Sequence, residues 1–261
     1  MALPASTHVG QLRVETRHLP SADGPGGDIH DVVATPFGVR LLIGDVMGTG
    51  QQANQVGASV LGAWRELARS EPSLAGVAVR LHTLIARSAH PDRFVTALLV
   101  NFPGPVAEDP AREDPAAEGG PAVGGPCGLW AELVCCGHPP PLLVRDGTAT
   151  FTGPLPYPPL GLLDLAEGWC AGGTIPFGEG DRLLLYTDGV SEARDPGGRF
   201  FPLTEHAEAA MRRQDAAPGG ETAGDAGGRH PLDALMTSLR RHIGDRMAST
   251  DDILLVLVQR G

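Results

Sequence analysis

Apolar positions along this chain follow two rhythms. Val56, Val60, Leu61, Trp64, Leu67 and Ala68 recur at three- and four-residue spacing, which predicts an amphipathic helix over Gln51–Arg69. Glu71-Pro72-Ser73 breaks it, and Leu74, Val77, Leu81, Leu84 and Ile85 open a second stripe. So short a turn predicts an antiparallel helical pair. Leu203–Arg213 and the stripe Leu232, Leu235, Met236, Leu239, Ile243 predict two more helices. The other rhythm is short and β-like. Asp31–Phe37 and Val39–Ile43 flank Gly38 as a hairpin, and Pro141–Arg145 and Thr148–Thr152 flank the turn pair Asp146-Gly147. Gln11–Thr16, Phe94–Phe102, Leu129–Cys136, Arg182–Thr187 and Ile253–Val258 complete the predicted strands. Strands cluster and helices come in pairs. Strict strand–helix alternation is absent, so the expectation is an α+β fold of antiparallel sheets covered by helices.

Pro103–Cys127 and Asp215–Arg229 carry no periodicity and are rich in Gly, Ala and acid. They read as flexible inserts near 103–127 and 215–230 in one domain spanning 11–261, after a tail at 1–10. The chain of 261 residues is 42% hydrophobic, enough for a sizeable core. Its net charge of −11 argues against nucleic acid or an anionic membrane as partner. All 20 basic residues are Arg, which excludes lysine chemistry, including a Walker-type phosphate loop. The cysteines, Cys127, Cys135, Cys136 and Cys170, lack metal-knuckle spacing and read as reduced core residues. No signal peptide or membrane-length apolar run is evident, so a cytoplasmic location is expected.

The candidate chemistry lies in acids at strand ends. Asp45 and Asp188 each follow an apolar strand, Asp251 and Asp252 precede one, and Asp28 follows Gly26-Gly27. A strand end holds a carboxylate rigidly, and an adjacent glycine lets backbone approach closely. Each site taken alone is also an ordinary turn acid. Taken together, carboxylates without His or Cys suit a hard divalent cation such as Mg²⁺ or Mn²⁺. Two such ions polarise a phosphoryl group and supply a hydroxide nucleophile. They also supply the positive charge that an acidic protein lacks.

Six segments in order carry a resemblance: Gly26-Gly27-Asp28-Ile29-His30-Asp31, Leu42–Gly50, Phe94-Val95-Thr96-Ala97, Cys136-Gly137-His138-Pro139-Pro140-Pro141, Leu185–Ala193 and Asp251-Asp252-Ile253. The chain resembles the metal-dependent PPM (protein phosphatase 2C-like) family, in particular its bacterial SpoIIE-like branch. The resemblance implies an αββα sandwich and hydrolysis of phosphoserine or phosphothreonine with two Mn²⁺ or Mg²⁺ ions. It implies that Asp45 bridges both metals, with the Val46 carbonyl as a further ligand. Asp28 would serve one metal, directly or through water, and Asp188 and Asp251 the other. Asp45 and Asp188 are the carboxylates on which catalysis would rest. Asp252 stands where many relatives have Asn. The implied substrate is a phosphorylated anti-sigma-factor antagonist.

Other residues read less functionally. His138 is a possible proton donor but is expected as a turn residue bonding backbone. His30 and Arg93 are expected to be solvated. Thr49, the Ile29-His30 pair and Cys135-Cys136 depart from the resemblance and bear on substrate fit. Two alternatives stay open: a degenerate phosphatase that only binds partners, and an enzyme switched on by a partner through the helical pair Gln51–Arg87.

Overall fold

The computed structural model describes residues 6–20, 26–88, 92–104, 130–165, 170–215, 230–244 and 251–260. The two expected inserts lie almost wholly outside them. Among the described residues, eleven strands form two antiparallel sheets. One has the order β1 (Ser6–Val9), β2 (Leu12–Leu19), β11 (Ile253–Arg260), β10 (Arg182–Tyr186), β7 (Leu142–Arg145), β8 (Thr148–Phe151). The other runs β3 (Asp28–Thr35), β4 (Gly38–Val46), β5 (Val95–Phe102), β6 (Trp130–Cys136), β9 (Gly173–Pro176).

Three apolar layers hold these sheets together. Between the sheets lie Leu41, Ile43, Leu98, Leu133, Leu183 and Val256, all buried. On the outer face of the five-stranded sheet pack α1 (Gly50–Ser70) and α2 (Leu74–Ala86), through Val60, Trp64, Val77 and Leu81. On the outer face of the other pack α4 (Leu203–Asp215) and α5 (Pro231–Ile243), through Met211, Leu232 and Leu239. The result is the four-layer αββα sandwich. Strand alternation sends Cys135 to the inter-sheet layer and Cys136 to the α1–α2 layer, both buried.

Helix ends follow local chemistry. Ser73 caps α2 by accepting from Gly76 N–H at 3.1 Å. Pro231 opens α5 behind His230, whose ring accepts from Leu232 N–H at 3.2 Å. The C-terminus of α1 is met by an unusual partner. Arg40 on β4 is fully buried, and its guanidinium donates to the carbonyls of Ala68 (3.0 Å), Glu71 (2.6 Å) and Pro72. Those carbonyls otherwise have no helical donor.

Some boundaries differ from the periodicity. Ser6–Val9, expected within a tail, pairs with β2 as an edge strand. Its Ser-Thr-His composition hides it, because an edge strand needs no apolar face. Gly173–Pro176 is likewise a short edge strand with little apolar content. β3 begins at Asp28 rather than Asp31, and β4 continues through Asp45 to Val46. The short helix α3 (Asp188–Ser191) follows β10 directly.

Candidate metal centre

The β3–β4 hairpin turns at Pro36-Phe37. There Thr35 Oγ1 accepts from Phe37 N–H (3.1 Å) and donates to the Gly38 carbonyl (2.7 Å). That turn sets the register, and the register sets Asp28 opposite Asp45 at the far end. Asp188 opens α3 just past β10, and Asp251-Asp252 lead into β11, the neighbour of β10. All five acids therefore gather at one end of the inter-sheet layer, contributed by both sheets.

Close backbone approach makes this possible. A Cβ at Gly27 would lie 2.3 Å from the Val46 carbonyl oxygen, and one at Gly26 would lie 1.7 Å from Asp252 Oδ2. At Gly27 the blocking atoms include backbone, so only glycine fits, whereas at Gly26 they are the Asp252 carboxylate. Val46 N–H also donates to the Gly27 carbonyl at 3.0 Å, which locks β4 against the loop entering β3. Thr187, fully buried, links the sheets: its hydroxyl donates to Asp28 Oδ2 at 3.0 Å and accepts from Leu254 N–H at 3.1 Å. Asp252 N–H donates to Asp251 Oδ1 at 2.9 Å. Asp251 is exposed and Asp252 is buried.

The electrostatics follow from this crowding. Burial, then the nearby Asp45, pushes Asp28 up to about 8, with Asp252 and Asp188 adding to the effect and the Thr187 hydrogen bond opposing it. Burial, then Asp188, Asp251 and Asp252, pushes Asp45 up to about 7. Asp188 is raised by burial, Asp251 and Glu192. Such a cluster lacks positive charge. Its carboxylate oxygens and the Val46 carbonyl beside Gly27 fit one or two hard divalent cations. Asp45 feels the charges of Asp188, Asp251 and Asp252, Asp28 those of Asp45, Asp252 and Asp188, and Asp188 that of Asp251.

The remaining sequence candidates fall elsewhere. His138 is buried, and that burial lowers it to about 3, against a hydrogen bond with the Tyr186 backbone that raises it. Its Nδ1 pairs with Thr96 Oγ1 at 3.2 Å, and Thr96 Oγ1 also accepts from Asp45 N–H at 3.3 Å. As expected it bonds backbone, at Tyr186, and through Thr96 it also supports the Asp45 strand from behind. His30 is largely buried, not solvated, and burial lowers it to about 4. Arg93 donates to the Met47 carbonyl and to Gln52 Oε1 (3.0 Å), bracing the turn after Asp45.

Sequence reasoning passed over Thr187, Thr96 and His18. Thr187 is recognisable only as a hydroxyl beside a strand-end acid. His18 Nε2 lies 3.8 Å from Asp252 Oδ2. An open cavity of about 490 Å³ adjoins Asp188, walled by Pro139, Pro140, Phe151 and Tyr186.

The fold has close counterparts. The RsbU and RsbW domains of a Mycobacterium tuberculosis protein superpose at TM-score 0.68 with 20% identity, over 98% of this chain and 62% of that one. The PP2C phosphatase domain of SpoIIE from Bacillus subtilis, with a fragment of its regulatory domain, gives 0.65 at 13% identity, over 97% and 64%. RsbX in complex with magnesium gives 0.62 at 14%, over 98% of both chains. The chain thus spans less than two thirds of the first two chains, and at these identities the likeness is one of fold. No curated protein sequence matches it. The family model for stage II sporulation protein E (SpoIIE) matches residues 35–106 and 130–261, most of the chain and all of the carboxylates but Asp28. The chain therefore belongs to the SpoIIE family and carries the PP2C-type phosphatase fold.

Proposed function

We propose that this protein is a metal-dependent phosphatase that hydrolyses phosphoserine or phosphothreonine in a partner protein. The observation that carries this reading is the gathering of Asp28, Asp45, Asp188, Asp251 and Asp252 from both sheets into one mutually repelling cluster. Two Mn²⁺ or Mg²⁺ ions held there would supply charge to the phosphoryl oxygens and an activated water. The chain's own residues orient and support. Asp45, with the Val46 carbonyl beside it, would be shared between the ions; Asp188 and Asp251 would hold one, and Asp28, steadied by Thr187, would serve the other with Asp252. Thr96 and the neutral His138 fix the Asp45 strand end from behind. The apolar cavity beside Asp188 gives room for the residues that flank a phosphorylated side chain.

The substrate class we propose is a phosphorylated anti-sigma-factor antagonist. Supporting it are family membership and the likeness to RsbU-type and SpoIIE phosphatase domains. The test is hydrolysis of an aryl phosphate in chelator, then with Mn²⁺ or Mg²⁺, with Asp45→Ala alongside. Turnover that needs metal and vanishes in the variant supports the proposal. Turnover in chelator, or undiminished in Asp45→Ala, refutes it. Metal binding without turnover on any phosphoprotein favours a partner-binding role instead.

A further inference from the structure

His18 occupies a telling place at the edge of this centre. Leu12 and Val14 on β2 point into the layer between the sheets. His18 is in phase with them, so it faces the same layer where that layer opens onto the carboxylates. Its register partner is Leu254, two residues beyond Asp252. One donor atom each from His18, Asp28 and Asp252 lie within 4.8 Å of one another. Donors at roughly 2.0–2.2 Å from one ion sit about 3–4 Å apart, so the 3.8 Å between His18 Nε2 and Asp252 Oδ2 already suits a shared cation. The His18 side chain is 43% exposed, whereas that of Asp252 is 3% exposed and backed by Gly26. Thr187 holds Asp28 Oδ2, which leaves Oδ1 for a cation.

We propose that His18 ligates, through Nε2, the cation held by Asp28 and Asp252, and that this end of the centre thereby selects Mn²⁺ over Mg²⁺. The inference rests on the reading of the acid cluster as a metal centre. Its chemical basis is the donor type. Carboxylate oxygens serve Mg²⁺ and Mn²⁺ alike, whereas an imidazole nitrogen favours first-row transition metals. Mg²⁺ also gives up water reluctantly and prefers strict octahedral oxygen sites. A second imidazole lies nearby. His30 is two residues along β3 from Asp28, and its Nε2 is buried with no hydrogen-bond partner among the described residues.

The experiment uses the full chain stripped of metal. Mn²⁺ binding is followed by electron paramagnetic resonance, with Mg²⁺ as competitor, and pulsed measurements read ¹⁴N coupling to bound Mn²⁺. Variants are His18→Ala, His18→Gln, which keeps the bulk should the first not fold, and His30→Gln. The expected result is a ¹⁴N coupling that survives in His30→Gln and is lost in the His18 variants. Mn²⁺ affinity falls there by about tenfold or more, since even outer-shell partners are worth 10–100-fold, while Mg²⁺ affinity changes little. Mn²⁺ bound without ¹⁴N coupling, or a coupling lost only in His30→Gln, overturns the His18 assignment and leaves the metal centre standing. Failure of the wild-type chain to bind either ion overturns both readings.

Discussion

Asp45→Asn should stabilise the metal-free protein while abolishing the metal-dependent activity proposed for it. Asp45 sits at about 7 against an ordinary 3.8, because burial and three other carboxylates disfavour its charge. A raised carboxylate pKa leaves stability intact below about pH 4 and lowers it progressively as pH rises through the folded value. At ~1.4 kcal/mol for each pH unit of that gap, the cost reaches at most about 4 kcal/mol by pH 8. Water reaches this partly exposed carboxylate, and screening brings the figure to about 1–2 kcal/mol. For a chain of this size that is about 3–6 °C in melting temperature. The assay is thermal unfolding in chelator from pH 5 to 8. His30 and His138, held neutral by burial, give the opposite slope between about pH 4 and 6.5, but they do so in both proteins. The gap between variant and wild type should therefore widen from pH 5 to about 7 and level off above that. Adding Mn²⁺ should reverse the order, because ligand at 100 times its Kd adds about 2.7 kcal/mol to the wild type alone. A variant that melts below wild type in chelator at pH 8, or a gap that does not grow with pH, would refute the reasoning.

Three further outcomes follow from contacts already described. Gly26→Ala brings a methyl group to 1.7 Å from Asp252 Oδ2, so it should displace that carboxylate and weaken Mn²⁺ binding roughly tenfold by calorimetry. Thr187→Val loses the donor to Asp28 and the acceptor for Leu254 N–H, at a cost of about 1–3 kcal/mol in urea unfolding, whereas Thr187→Ser should stay near wild type. Arg40→Leu strands three carbonyls at the end of α1 and should cost about 2–4 kcal/mol, read as a lowered urea midpoint.

Much of this architecture is legible in the sequence because it is local. The α1 stripe through Val60 and Trp64 and the paired strands around Gly38 announce themselves by period alone. The acids are legible because each abuts an apolar run or a glycine pair. What period cannot convey is which strands become neighbours. That β11 inserts between β2 and β10 is decided by packing across the whole chain, and it is this insertion that brings Asp252 to Asp28. His18 is invisible for the same reason: its meaning depends on a partner more than two hundred residues away. Arg40 misleads in the other direction. A charge inside an aliphatic strand looks like a solvent-facing position, yet it is fully buried because the end of α1 offers it carbonyls. Ser6–Val9 and Gly173–Pro176 escape notice because strands at a sheet's edge need only hydrogen bonds on one side.

The hydroxyl of Thr187 reaches a carboxylate 159 positions earlier in the chain. Closing so wide a loop is entropically slow, and sheets built from distant segments form late in folding. The hairpin bearing Asp28 and Asp45 can form early, but alone it brings together only two of the five acids. Docking of β10 and β11 adds the rest in a single act. A molecule that has formed only the hairpin therefore lacks three of the five acids, and the complete centre requires contact between both sheets. For the phosphatase proposed above, copies without that contact would lack the activity.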